Sequence, residues 1–136
     1  MKFKAYKNEK LLRNEEIYFN GQKIIFIFHG LFGRAKNWHS IALRISSIFD
    51  GTIIVFDLRN HGENEPSTEI SYSIMVNDVY EFIKEEDINK FSIIGHSMGG
   101  KLGMLFTLLY PQFVKQLFVV DIAPVDYPRE EIEIVD

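Results

Sequence analysis

The chain has 136 residues, of which 46% are hydrophobic and 14% aromatic. That is enough apolar material for the core of one domain, and the length leaves no room for a second. A net charge of −4, with acidic and basic residues interspersed, excludes the basic stripe of a nucleic-acid surface. The absence of cysteine excludes a disulfide framework, a thiolate metal site and a cysteine nucleophile.

Met1 to Arg13 is polar and Lys-rich, without the continuous apolar region of a signal peptide, and no later run reaches the roughly 18 apolar residues of a membrane span. A soluble, cytoplasmic protein is expected. Ile17 to Phe19 reads as an antiparallel edge strand, with Asn20-Gly21 as the turn into the next element. Lys23 to Phe28 is a continuous β-branched and aromatic run of the kind buried on both faces of a sheet, and Thr52 to Phe56, Phe91 to Ile94 and Gln116 to Ile122 repeat it. Between these runs lie segments of helical spacing. The first carries Trp38, Ile41, Ala42, Ile45, Ile48 and Phe49, the second Tyr72, Met75, Val76, Val79, Phe82 and Ile83, the third Leu102, Leu105, Phe106 and Leu109. Gly51 follows the first helix, Ser71 is placed to cap the second and Pro111 stops the third. Alternating strand and helix predict an α/β domain over 1–136, a mostly parallel sheet with helices on both faces.

The segment that bears chemistry is Gly95-His-Ser97-Met-Gly99-Gly100, a G-x-S-x-G pattern in which an apolar strand runs straight into a helix. A one-residue turn between strand and helix holds a serine in a strained conformation, and neighbours without side chains let the turn pass close to other elements. Ser97 is the candidate nucleophile, with the N-terminal dipole of the following helix directed at developing negative charge. The bland alternative is a glycine-rich turn that serves packing alone. An oxyanion hole needs two amide donors, and the N–H groups of Met98 and of Leu31, in His29-Gly-Leu31-Phe32-Gly33 after an earlier strand, are the candidates. That second motif reads equally as a tight connection needing glycine for its backbone.

His29-Gly-Leu-Phe-Gly33, Asp57-Leu-Arg-Asn-His-Gly62, Gly95-His-Ser-Met-Gly-Gly-Lys101 and Asp121-Ile-Ala-Pro-Val-Asp-Tyr127 follow one another in an order and spacing that resemble the YbfF-type esterases. The likeness runs from about Ile17 to Tyr127. It implies an α/β-hydrolase fold carried as far as about the sixth of its usual strands, and an activity toward small acyl esters or thioesters through an acyl-enzyme, with no cofactor and no metal. It also implies a structural turn at Asp57 to Gly62, with no catalytic role for Arg59. Phe32 and Met98 suggest an apolar pocket floor.

A serine hydroxyl needs a histidine to take its proton and a carboxylate to orient that histidine. His29 and His61 belong to loop motifs, His39 lies early in a helix, and the side chain of His96 diverges from that of Ser97, so packing or local hydrogen bonds account for all four. In this fold the histidine follows the acid, and it is expected beyond the region present here. Asp121, closing the last apolar strand, is the candidate acid, with capping of the next turn as its alternative role; Asp126 lies further into the loop. The outer edge of Gln116 to Ile122 is expected to be bare, which favours self-association or a complementing C-terminal fragment as partner. Two further readings compete with the esterase: a non-catalytic remnant or split-gene half, and an acyltransferase that differs only in the acceptor.

Overall fold

The computed structural model describes residues 2–30, 38–58, 72–122 and 130–135, with side chains described as far as residue 120. In chain order the strands and helices are β1 (Lys2–Lys7), β2 (Lys10–Leu11), β3 (Ile24–Phe28), α1 (His39–Ile48), β4 (Thr52–Asp57), α2 (Tyr72–Glu85), β5 (Phe91–His96), α3 (Met98–Leu109), β6 (Val114–Ile122) and β7 (Glu130–Val135). Among the described residues the strands form one sheet in the order β2-β1-β4-β3-β5-β6-β7. β4, β3, β5 and β6 are mutually parallel, while β1 and β7 run antiparallel to their neighbours β4 and β6.

The topology sorts the helices between the two faces. From β3 the chain moves to β4 in one direction across the sheet, then returns past β3 to β5 and on to β6 in the other. Right-handed crossovers therefore place α1 on one face and α2 with α3 on the opposite one. The two apolar clusters agree. Met75, Val79, Phe82, Leu102 and Phe106 of α2 and α3 pack with Phe26, Phe56 and Phe91 of the sheet, where Phe26 stacks on Phe91 at 4.1 Å between ring centroids and meets Phe56 edge-on at 4.9 Å. A smaller cluster joins Ala42 of α1 to Tyr6, Ile27, Ile53 and Val55.

Three expectations change. The edge strand expected at Ile17 to Phe19 is not a strand. β1, with the short β2 outside it, takes that side of the sheet, pairing Lys2 with Asp57 through Tyr6 with Ile53, and Phe19 instead packs its ring against Phe3 and Phe82. The outer edge of β6 is not bare, because β7 pairs with it from Leu117↔Val135 to Ile122↔Glu130. In α1 the residues buried against the sheet are Ala42 and Ser46, whereas Ile48 is 87% exposed. The turn at Asn20-Gly21 forms as expected, closed by the Gln22 N–H donating to the Phe19 carbonyl at 3.0 Å. Arg59 and Ser71 lie outside the described residues.

Candidate active site

β5 alternates buried and half-buried residues from Phe91 to His96, lying between β3 and β6. The chain must then reverse to lay α3 back over the sheet, and it does so at one residue. Ser97 has φ 54° and ψ −114°, a region L-residues rarely enter, and α3 begins at the next residue. Both backbone groups of Ser97 are nonetheless satisfied. Its N–H donates to the Val120 carbonyl of β6 at 3.0 Å, and its own carbonyl accepts from the N–H groups of Gly100 at 2.9 Å and Lys101 at 3.2 Å.

The glycines around the bend are there for space. A Cβ on Gly99 would stand 2.1 Å from the Phe28 carbonyl oxygen, and one on Gly95 would stand 2.5 Å from that of Gly99. α3 thus starts in direct backbone contact with the end of β3. Ser97 itself is exposed and its side chain makes no capping bond to the helix. The Met98 N–H, as the first amide of a 12-residue helix, has no acceptor within that helix and lies at the positive end of its dipole. Its side chain points the other way, into the core of the α2–α3 face. Met98 therefore offers an amide to the site and its thioether to the core.

The histidines sort by their partners. His29, fully buried, accepts the Leu58 N–H at Nε2 (3.1 Å) and donates from Nδ1 to the Gly30 carbonyl (3.0 Å); an amide can only donate, so the proton sits on Nδ1. The ring thereby ties the end of β3 to the end of β4, with Asp57 Oδ1 3.8 Å from Nε2. His39 Nδ1 bonds the Tyr6 hydroxyl at 2.9 Å on the α1 face. His96 turns toward α1, its ring edge-on to Trp38 at 5.9 Å, with Nε2 buried and without a hydrogen bond. None of these three shares a hydrogen bond with Ser97. Asp121 is paired with Glu131 near the end of β6, at the same sheet edge as the bend. Leu31, Phe32, His61 and Asp126 lie outside the described residues. Sequence reasoning missed Val120, whose carbonyl holds the bend from the neighbouring strand.

Among the described residues, no three or more His, Cys, Asp or Glu side chains group to hold a metal, and no helix is long and apolar enough to cross a membrane. The architecture is thus a mostly parallel sheet with helices on both faces and a strained serine between β5 and α3. The family model described as the alpha/beta hydrolase fold matches residues 23–136. The chain belongs to the α/β-hydrolase family. Within that family it is 43% identical over 108 residues to an abhydrolase domain-containing protein of Schizosaccharomyces pombe, covering 78% of this chain and 40% of that one. A putative esterase/lipase of Haemophilus influenzae is 42% identical over 108 residues, covering 79% and 37%. Ethanol acetyltransferase 1 of Hanseniaspora uvarum is 32% identical over 129 residues, covering 95% and 38%. Among solved structures, a marine microorganism esterase superposes with a TM-score of 0.70 at 38% identity, covering 90% of this chain and 41% of that one. This α/β-hydrolase chain therefore spans about two fifths of the length of the relatives it matches.

Proposed function

We propose that this chain carries the nucleophile and both oxyanion-hole donors of a serine hydrolase acting on small carboxylic esters or thioesters. The single observation that supports this most is Ser97 itself, exposed at a strained bend whose backbone bonds are all made, with the Met98 amide next to it as the first N–H of α3. In this reading Ser97 Oγ attacks the acyl carbonyl carbon, and the oxyanion accepts hydrogen bonds from the N–H groups of Met98 and Leu31. The C–O or C–S bond then breaks, the alcohol or thiol leaves with a proton, and water hydrolyses the acyl-serine. His29 and His39 are hydrogen-bonded elsewhere and His96 turns toward Trp38; in this reading the proton carrier is a histidine from a further part of the fold, oriented by Asp121 at the end of β6 or by a later carboxylate. Phe32, following the second amide, lines the acyl pocket.

A fluorophosphonate probe and a short-chain p-nitrophenyl ester test this on the chain alone and on the chain co-expressed with the C-terminal remainder of the Haemophilus relative. Labelling should map to Ser97, vanish in Ser97→Ala, and be at least about 100-fold faster with the added segment, the least that a general base contributes. Labelling on another residue, or ester turnover unchanged in Ser97→Ala, would remove the reading.

The likeness to ethanol acetyltransferase 1 across 95% of this chain supports a second reading of the same acyl-enzyme. In it an alcohol, instead of water, takes the acyl group. Partition of a p-nitrophenyl acetate reaction between acetate and ethyl acetate, measured with ethanol present, distinguishes the two. Two of the relatives named above carry enzymatic names, and nothing specific supports a non-catalytic half.

A further inference from the structure

At the opposite end of the sheet from Ser97, the starts of three adjacent parallel strands enclose a cleft of about 210 Å³. Lys23 precedes β3, Lys90 precedes β5 and Lys115 lies at the start of β6, and all three line it together with Phe49, Phe91 and Ser92. Among the described residues, none that lines it carries a carboxylate, although the chain as a whole is at −4. Lys90 is already held in place, its Nζ donating to the Gln112 carbonyl at 3.0 Å and keeping further N–H groups for another acceptor. An anion seated in the cleft would be drawn by the positive charge of the three lysines that line it. The walls are apolar where Phe49 and Phe91 stand, so the space suits an anion with a hydrophobic body.

We propose that this cleft binds a small phosphomonoester bearing an aromatic ring, its phosphate among Lys23, Lys90 and Lys115 and its ring against Phe49. About 150 Å³ is enough for a benzene ring, so the volume admits the ring with part of the phosphate inside. A dianion matches a triad of cations better than a monoanion does. Six residues of extended chain separate Phe91 from Ser97, which puts the cleft roughly 20 Å from the candidate nucleophile. The site is therefore independent of the acyl chemistry. A ligand there would tie the beginnings of β3, β5 and β6 together.

Phenyl phosphate titrated into the full chain at low salt, followed by calorimetry and by amide chemical shifts, is the test. Saturable binding is expected, with shifts at Ser92 and Phe49 and affinity falling as salt is raised. Inorganic phosphate and phenol, each carrying half of the recognition, should bind at least about tenfold more weakly. Lys23→Gln, Lys90→Gln and Lys115→Gln combined should raise Kd by about tenfold or more, whereas the charge-matched combination of Lys4→Gln, Lys84→Gln and Lys101→Gln should leave it within about twofold. All six side chains are exposed, so neither combination threatens the fold. Absence of saturable binding at millimolar ligand, equal weakening in both combinations, or shifts confined to another surface would overturn the assignment.

Discussion

At Ser97 the backbone occupies a region that costs a non-glycine residue of order 1–3 kcal/mol, and three backbone hydrogen bonds hold it there. Replacing the side chain by hydrogen removes most of that cost, and the greater flexibility of the unfolded glycine chain returns about 0.5–1 kcal/mol. Ser97→Gly is accordingly expected to gain about 1 kcal/mol in urea denaturation at unchanged slope while losing all probe labelling. A destabilised Ser97→Gly would mean that the bend is not strained. Glu16 gives a second residue-level expectation. Its hydrogen bond from Lys10, then that from the Arg13 N–H, hold its carboxyl at about 2 against an ordinary 4.5. A depressed carboxylate contributes stability that is complete above about pH 4.5 and is lost as pH falls toward 2. Glu16→Gln should flatten the acid limb of the stability curve across that window and leave pH 7 titrations of other groups unchanged. The bend at Ser97 was legible because Gly95 and Gly99 flank it. The Val120 clamp was not, since a backbone carbonyl leaves no side-chain signature.

Among the elements, α3 and β3 meet at a point where no methyl group fits. Gly99→Ala would drive its Cβ into the Phe28 carbonyl, part of a central strand paired on both sides, and about 3 kcal/mol or more of stability should be lost by thermal or urea unfolding. Gly21→Ala, where nothing stands within 4 Å, should lose about 1 kcal/mol from backbone conformation alone. The four parallel strands were readable because a strand buried on both faces is a run of apolar residues. The antiparallel strands β1 and β7 were not. Lys2–Lys7 reads K-F-K-A-Y-K and Glu130–Val135 reads E-E-I-E-I-V, so their period-two alternation is carried by one or two apolar residues among charges. Those charges suit an edge, where one row of backbone groups faces solvent. Ile17 to Phe19 misled for the converse reason, because Phe19 supplies an aromatic anchor without a ladder.

At the level of the whole molecule the two faces are unequally built. The α2–α3 face buries aromatic rings from both helices and the central strands, whereas α1 buries Ala42 and Ser46 and leaves Ile41 and Ile48 outward. Local opening follows the apolar contact that each helix has to lose. Amides of α1 should therefore exchange with deuterium at least about tenfold faster than those of α3. Equal protection of the two helices would show that the sheet alone sets the opening energy. The single amide joining Ser97 to Val120 has a consequence in time as well as in space. On a chain emerging from the ribosome, residue 97 arrives before residue 120, so the turn lacks its tether until the following strand has docked. The strained geometry at the serine is thus completed late, by arrival of a neighbour, and any process that peels β6 away would return residue 97 to an ordinary, relaxed loop.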